Sequence, residues 1–379
     1  MPIKRKYSRK NSKRILKRNT KKIRKLSKRR KYNSKKYRIG GGNQCNDLYS
    51  IGTLLKYGPD ENVLERRYSE GSRPVLNNEC SQKEIGKYKI PKIVTILDEN
   101  LFEGHAWKEI IIPKNLKLIG HSAFYNTKEL NSIKIPDSVE IIEDYAFESS
   151  GIKSAKLGIN IKEIGEGAFG GCKFLKEINI PDSIKYIKDK TFILCLSLEM
   201  IKLGKSVTTI GTGAFKECKK MKSITNTDSL TKIEPFAFSQ CHSLKDIKIP
   251  NVTSLKEAAF HECKSLLEIT LNENITNIDK NTFKDCSSLK KINIPNSVTA
   301  IGIDSFSGCT SLESIKLPDS LKYIYQGAFK DCKSLKEINI PDSVIIFGAA
   351  FKGCNSIEGQ NDLIKKIREK AAKLENPFE

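Results

Sequence analysis

The hydrophobic positions of this chain recur at a nearly fixed interval over most of its length. A phenylalanine marks each interval, and neighbouring phenylalanines are separated by 22 or 23 residues. Repetition of one unit of this length is typical of a solenoid, in which each turn buries its apolar side against the turns above and below. The repeated residues are Phe102, Phe124, Phe147, Phe169, Phe192, Phe215, Phe238, Phe260, Phe283, Phe306, Phe329 and Phe351.

The unit is read most easily between residues 294 and 317. Its apolar side chains are spaced so that they point toward one axis, and a single turn cannot bury them without a neighbour on each side. The sequence therefore predicts stacked turns and not a compact globule. The inward positions of this unit are Val298, Ile301, Phe306, Cys309, Leu312, Ile315 and Leu317.

A short strand is predicted at the end of each unit. Ile315-Lys316-Leu317 alternates apolar and polar side chains and precedes Pro318, which cannot donate to a ladder. Parallel pairing at about 4.8 Å per turn predicts a rod on the order of 55 to 60 Å long. Ile-Gly pairs such as Ile119-Gly120 are interpreted as turns, and so are the aspartates after the prolines. The strand recurs at residues 133–135, 178–180, 247–249, 292–294 and 338–340.

The pattern L-x-x-I-x-I-P-x-S-V-x-x-I-G-x-x-A-F-x-x-C-x-S resembles the BspA-like (Treponema-type) leucine-rich repeat and covers residues 90–357. The resemblance implies a repeat solenoid of leucine-rich-repeat type, with a parallel sheet on one face, short turns or helices opposite, and about twelve turns of 22–23 residues. It also implies that the protein binds other molecules without catalysing a reaction. It does not indicate which ligand is bound. The family is known from bacterial surface proteins, parasitic protists and large DNA viruses of protists.

Nine cysteines stand three residues after the repeated phenylalanine in consecutive turns. An inward thiol packs as a small hydrophobe, so we interpret them as a structural ladder of reduced cysteines. Zinc binding is disfavoured because a line with about 4.8 Å per turn brings few sulfurs to one centre. Disulfides between adjacent turns are the open alternative, since the spacing fits a bridge. The ladder consists of Cys172, Cys195, Cys218, Cys241, Cys263, Cys286, Cys309, Cys332 and Cys354, and the first three turns carry His105, Thr127 and Ser150 there instead.

The positive charge of the chain is concentrated at its beginning. Residues 1–38 contain twenty Lys or Arg and no acidic residue, which accounts for most of the net charge of +23. So few apolar side chains predict a disordered tail, joined at residues 39–42 by a glycine linker. The tail suits a nucleic acid or another polyanion, a localisation signal, an anionic membrane surface, or no dedicated partner. The candidate polyanion-binding residues are Lys4, Arg5, Lys6, Arg9, Lys10, Lys13, Arg14, Lys17, Arg18, Lys21, Lys22, Arg24, Lys25, Lys28, Arg29, Arg30 and Lys31.

Two further segments flank the predicted solenoid at residues 90–357. Residues 43–89 are interpreted as an N-terminal cap, with a short helix that begins after Asp47 and carries Leu48, Ile51, Leu54 and Leu55. Residues 358–379 form a predicted C-terminal capping helix, and binding of a partner by this helix is the alternative. Its apolar stripe consists of Ile364, Ile367, Ala371 and Leu374, and the unassigned cysteines of the chain are Cys45 and Cys80.

No catalytic constellation is found, and the chain is predicted not to be an enzyme. The four histidines are scattered, and phosphate-binding, dinucleotide-binding and nucleophile-elbow motifs are absent from the sequence. Neither a cofactor nor a bound metal is expected. No apolar run of signal-peptide or membrane-spanning length occurs, so we expect an intracellular site, in the cytoplasm or nucleus of a host or in a virion. The lysine-rich leader is similar to those of proteins from giant viruses of protists, which suggests a viral source.

The exposed middle position of each predicted strand is the place to look for binding. It is occupied by lysine or a small polar residue and never by an aromatic one, which favours either an acidic partner or none. We therefore predict a monomeric protein–protein interaction scaffold. The alternatives are a nucleic-acid-associated protein that acts through its tail, and an exported surface adhesin. The column is Lys134, Lys156, Asn179, Lys202, Thr225, Lys248, Thr270, Asn293, Lys316 and Asn339.

Overall fold

The computed structural model describes residues 86–357 throughout, together with the backbone of two strands at residues 55–57 and 63–66. The chain winds through about eleven turns of about 23 residues, each stacked on the next, so the predicted solenoid of leucine-rich-repeat type is confirmed. The basic tail, Cys45, Cys80 and the predicted C-terminal helix lie outside the described residues, as does most of the predicted N-terminal cap.

Most turns contribute a strand of three residues to a parallel ladder, here called the first ladder. Its strands begin and end one residue earlier than predicted, as Ser314–Lys316 does, so Leu317 is buried beyond the strand. The predicted strand at residues 247–249 is replaced by a single bridge from Lys248 to Thr270. The strands are β3 (Lys87–Lys89), β5 (Glu109–Ile111), β7 (Ser132–Lys134), β9 (Ser154–Lys156), β11 (Glu177–Asn179), β13 (Met200–Lys202), β15 (Ser223–Thr225), β18 (Glu268–Thr270), β20 (Lys291–Asn293), β22 (Ser314–Lys316) and β24 (Glu337–Asn339).

A second parallel ladder of mostly two-residue strands was not predicted. The isoleucines of the Ile-Gly pairs, such as Ile119, end these strands and do not lie in turns, because stacking brings their backbones into register with the next turn. The strands are β2 (Val63–Arg66), β4 (Ile96–Leu97), β6 (Leu118–Ile119), β8 (Ile141–Ile142), β10 (Glu163–Ile164), β12 (Tyr186–Ile187), β14 (Thr209–Ile210), β16 (Lys232–Ile233), β17 (Ser254–Leu255), β19 (Asn277–Ile278), β21 (Ala300–Ile301), β23 (Tyr323–Ile324) and β25 (Ile345–Ile346).

The N-terminal edge of the second ladder is extended by one more strand. Strand β1 (Leu55–Tyr57) pairs antiparallel with β2, and β2 pairs in parallel with β4. The helix predicted to include Leu55 is therefore wrong at that residue. A short isolated helix is marginal in water, whereas pairing of β1 with β2 satisfies backbone groups at the sheet edge, so tertiary context overrides the local pattern.

The segment around each phenylalanine forms a third set of bonds between turns. The backbone N–H of Phe124 donates to the carbonyl of Ala146 in the next turn at 2.7 Å, and that of Asn126 donates to Glu148 at 2.8 Å. The chain bends sharply here because the residues two before and two after the phenylalanine have left-handed backbone, as Tyr145 (φ 58°) does. Each turn is thus hydrogen-bonded to its neighbour along three stretches of its length.

The core is a single stack that runs along the solenoid. Adjacent phenylalanine rings lie nearly parallel, with centroids 4.9 to 5.7 Å apart and interplanar angles of at most 16°. The rings from Phe102 to Phe329 are fully buried, and Phe351 in the last turn is partly buried. All seven inward positions predicted between residues 294 and 317 are buried.

Candidate partner-binding face of the first ladder

The first ladder presents one flat surface to solvent. In β22 the central Ile315 is 4% exposed, whereas Lys316 is exposed, and the same alternation holds along the ladder. The residue before most of these strands is exposed too, as Lys153 and Lys176 show. The outward positions of the strands, the residue that precedes each strand, and the equivalent residues 245, 246 and 248 are called here the lysine-rich face.

Lysine predominates over acidic residues on this face. The described residues 86–357 contain 37 lysines and 32 acidic residues, of which the face carries 15 and 7. The excess of positive charge in the described solenoid therefore lies on this one surface, and the rest of the described solenoid is slightly acidic. The lysines of the face are Lys87, Lys89, Lys108, Lys134, Lys153, Lys156, Lys176, Lys202, Lys222, Lys245, Lys248, Lys290, Lys291, Lys316 and Lys336.

Few of these ammonium groups are neutralised by neighbouring turns. Lys87 lies 3.0 Å from Glu109, and Lys222 lies 2.6 Å from Glu199, whose pKa its hydrogen bond lowers. Within the described residues no ion pair involves Lys134, Lys153, or Lys156. The other face positions of these two turns are Asn131, Ser132 and Ser154, so this part of the face is purely basic.

All ten residues of the column predicted from the sequence are exposed on this face. The structure adds a second lysine column, which the sequence analysis missed because these residues precede the strands and their alignment depends on stacking. Charged side chains repeated at about 4.8 Å along a rigid surface suit an extended ligand of opposite charge.

Two of the aspartates that follow the strand prolines connect turns. Asp137 accepts a hydrogen bond from the backbone N–H of Ile159 at 3.0 Å, and Asp182 accepts one from Lys205 at 2.9 Å. They were predicted to form turns, and the structure shows that each also holds the following turn in place. These two carboxylates therefore have a structural role.

The nine ladder cysteines lie inside the solenoid, and all are fully buried thiols. Each Sγ donates to the carbonyl of the phenylalanine in the preceding turn, as Cys286 does to Phe260 at 3.1 Å. Burial raises the pKa of the Cys172 thiol to about 12. In the earlier turns Thr127 Oγ1 donates to Phe124, and Ser150 lies 3.3 Å from Cys172 Sγ. These groups hold neighbouring turns together.

Two histidines form a small polar cluster on the turn segments. His242 Nε2 lies 3.6 Å from Glu262, and His261 lies 3.8 Å from Glu262 and 3.9 Å from Asp285. Partial burial lowers the pKa of both histidines. No group of three or more ligating side chains in the described part of the chain is placed to hold a metal ion.

A shallow groove lies on the turns that follow the first ladder. It is lined by an ion-pair chain in which Lys117 and Lys162 flank Glu140 at 3.6 and 2.8 Å. Hydrogen bonding to Lys162 is the main cause that lowers the pKa of Glu140. Since both ammonium groups already have a carboxylate partner, the groove offers a ligand little unpaired charge.

No helix within residues 86–357 has the length and apolarity needed to cross a membrane.

Comparison with known proteins identifies the repeat and the fold. A family model described as BspA type leucine rich repeat region (6 copies) matches residues 76–199, 185–299 and 231–358. A leucine-rich repeat protein of Bacteroides ovatus is 29% identical, with a TM-score of 0.60, over 72% of this chain and 77% of that chain. No curated protein matches the sequence.

Two further solved structures are similar to a lesser degree. A leucine rich cell surface protein of Faecalibacterium prausnitzii is 24% identical, with a TM-score of 0.41, over 73% of this chain and 86% of that chain. The leucine rich repeat protein of T. pallidum is 29% identical, with a TM-score of 0.32, over 54% of this chain and 78% of that chain.

Proposed function

Because the chain belongs to the BspA type leucine rich repeat family, we propose that it is a non-enzymatic, monomeric scaffold that binds an acidic protein through the lysine-rich face. The observation that carries the proposal is the concentration of 15 lysines and only 7 acidic residues on this one surface. A solenoid spends its repeat residues on contacts between turns, so recognition falls to the outward positions.

The chemistry of the face indicates the kind of partner. Unpaired ammonium groups attract carboxylates over about 8 to 10 Å at moderate salt and raise the association rate. Tyrosine, tryptophan and arginine, the usual anchors of tight interfaces, are absent from the outward positions of the face. We therefore expect binding that is electrostatic, moderate in affinity and strongly weakened by salt.

The test compares charge reversals on and off the face, in a chain that lacks residues 1–42 so that the basic tail does not bind the probe. The face variant carries Lys134→Glu, Lys153→Glu and Lys156→Glu. The matched control carries Lys185→Glu, Lys205→Glu and Lys322→Glu, which are exposed lysines outside the face with the same total charge change.

The probe is a labelled poly-glutamate peptide, and its binding is measured by fluorescence anisotropy over a salt series. The face variant is expected to lose about tenfold or more in affinity, equivalent to about 1.4 kcal/mol, and the control much less. Equal losses in the two variants would mean that only net charge matters. No binding by the unaltered solenoid would remove the proposed acidic partner altogether.

A second candidate function is supported by the tail. Its twenty Lys or Arg residues without an acidic neighbour suit binding of DNA or RNA by release of counterions, without base contacts. Deletion of residues 1–38 should then abolish salt-dependent retention on nucleic acid. If the full-length chain shows no such retention, this candidate is excluded, and a localisation or anchoring role for the tail is favoured.

The location of the chain is part of the proposal. An intracellular site is supported by the nine buried thiols, since cysteines stay reduced in the cytosol. A surface adhesin is the third candidate. Protease treatment of intact cells that express the protein, followed by fractionation, distinguishes an intracellular protein from a surface adhesin. The protease would digest only a surface-exposed chain.

A further inference from the structure

The last two cysteines of the ladder differ from the other seven. The thiols of Cys332 and Cys354 are hydrogen-bonded to each other. Each Sγ also contacts the carbonyl oxygen of the phenylalanine in the preceding turn, at 3.2 Å from Phe306 and 2.9 Å from Phe329. Two sulfur atoms in direct contact are the arrangement from which a disulfide forms.

The backbone holds these two cysteines at the separation that a bridge requires. The N–H groups of Phe329 and Asp331 donate to the carbonyls of Ala350 and Lys352 in the next turn at 2.8 and 2.7 Å. The rings of Phe329 and Phe351 stack with centroids 5.2 Å apart. Turns paired in this way lie about 4.8 Å apart, which is within the Cα separation of about 4.4 to 6.8 Å found in disulfides. Bond formation therefore depends on the two side chains more than on the backbone.

Cys354 is the ladder thiol best placed to react first. Residues 86–357 give it a neighbouring turn on one side only, whereas the other eight thiols lie between two turns. The hydrogen bond from Cys332 is the main cause that lowers the pKa of Cys354. Burial is the largest cause that raises the pKa of the seven thiols from Cys172 to Cys309. Because a thiolate is the attacking species in disulfide exchange, Cys354 is the expected nucleophile.

We propose that Cys332 and Cys354 form a reversible disulfide that fastens the last described turn to the turn before it under oxidising conditions. The oxidant is a small disulfide such as glutathione disulfide. The Cys354 thiolate attacks one of its sulfurs, which releases one glutathione and leaves a mixed disulfide on Cys354. Cys332 then loses its proton and attacks Cys354 Sγ, and the second glutathione leaves. Two protein thiols are oxidised, and one glutathione disulfide is reduced to two glutathione molecules.

The bond would restrain the C-terminal end of the described solenoid. It closes a loop of 23 residues, 332–354, that contains strands β24 and β25. A covalently closed loop has fewer unfolded conformations, so this turn opens less often. The proposal does not depend on the acidic partner of the lysine-rich face.

Disulfide mapping of the full-length chain is the first test. The folded protein is incubated with glutathione disulfide, the remaining thiols are alkylated in denaturant, and tryptic peptides are identified by mass spectrometry. The expected product joins residues 331–333 to residues 353–365. It should form at least about tenfold faster than a bridge between Cys218 and Cys241, a matched adjacent pair inside the ladder.

Single substitutions test the order of the two steps. Cys332→Ser should leave glutathione attached to Cys354, because no second thiol is present to displace it. Cys354→Ser should leave Cys332 unmodified. Serine occurs naturally in this column at Ser150, so both variants are expected to fold, and circular dichroism checks that they do.

Amide hydrogen exchange measures the effect on the last turn. Residues 344–354 should exchange at least about tenfold more slowly in the oxidised chain than in the reduced one, and dithiothreitol should reverse the difference. Absence of the linked peptide, or bridges spread evenly over the ladder, would overturn the proposal. So would a bridge that forms only in urea, or equal exchange of the oxidised and reduced chains.

Discussion

The fold requires left-handed backbone at two positions of each turn segment, two residues before and two residues after the phenylalanine. This is its main conformational demand on single residues. Glycine, asparagine and aspartate meet it in several turns, but Leu194 (φ 59°) and Phe236 (φ 58°) do so with large side chains. The left-handed region costs an ordinary L-residue about 1 to 2 kcal/mol, and glycine almost nothing. These positions are therefore places where the native sequence is not optimal for stability.

Leu194→Gly is expected to stabilise the protein by about 1 kcal/mol, because it relieves this strain at a partly exposed site. The urea midpoint of unfolding measures the effect. Leu196→Gly removes the same side chain two residues later, where the backbone is not left-handed, and should lower the midpoint. A decrease with both variants would show that the Leu194 side chain matters more than its backbone.

Glycine has the opposite role in the second ladder. A Cβ built on Gly165 would lie 2.4 Å from the backbone nitrogen of Asp144, so the two turns could not approach to hydrogen-bonding distance. Gly165→Ala is expected to destabilise the protein by about 3 kcal/mol, as overpacking against rigid backbone does. Gly86→Ala is the control, since nothing lies within 4 Å of its Cβ, and thermal unfolding of the two variants should differ clearly.

At the scale of the structural element, the cysteine ladder combines packing with hydrogen bonding. From Phe169 to Phe329, each phenylalanine carbonyl accepts the N–H of the cysteine in its own turn and the S–H from the next, as Phe260 does from Cys263 and Cys286. Ionisation of a thiol removes its S–H donor and places a charge in a buried site, so the ladder stabilises the protein most while the thiols are protonated. Burial, the largest cause, raises the pKa of most of these thiols well above the usual value.

Alkaline pH is therefore expected to destabilise the solenoid. Because the pKa of a thiol such as Cys172 is about 12 in the folded chain and near 9 otherwise, the unfolded chain loses protons first. The stabilisation is complete below about pH 9 and declines as pH rises toward the folded pKa, by up to about 1.4 kcal/mol per pH unit for each thiol.

Urea unfolding at pH 8 and pH 10.5 measures this decline. A variant with Cys218→Ser, Cys241→Ser and Cys286→Ser keeps a hydroxyl donor at a position where Ser150 occurs naturally, and it should lose less stability over this pH range. An equal loss in the variant and the native chain would show that the alkaline effect does not come from these thiols.

For the whole molecule, the consequence of the repeat is that each turn depends only on its neighbours. The stability of such a solenoid is approximately a sum of terms for turns and for the interfaces between them. Removal of one complete turn should therefore shorten the rod without unfolding it.

Deletion of residues 284–306, which is one turn of 23 residues, joins Phe283 to Ser307 in register. The shortened chain is expected to keep its β-sheet circular dichroism and its cooperative unfolding. Deletion of residues 284–295 removes half a turn and places outward residues in the core, so it should give an unfolded or aggregated product. If the two deletions behave alike, the turns are not independent units.

The sequence by itself determined the period, the inward residues and the nature of the fold, because any side chain repeated every 22 or 23 residues must face the same way in every turn. It also predicted the burial of Cys309 and the exposed lysine column through Lys316. A viral source and the roles of both terminal segments stay predictions.

Only the tertiary structure decided the features that depend on contacts between turns. The two-residue strands of the second ladder have too few residues for a local signal, and they form because stacked backbones lie in register. The same stacking put Leu55 in a strand, joined Asp137 to the following turn, and gathered Tyr323, Tyr325 and Phe347 into one patch. Most of these contacts join residues eleven or more apart in sequence, and the local pattern around such a residue does not specify its partner.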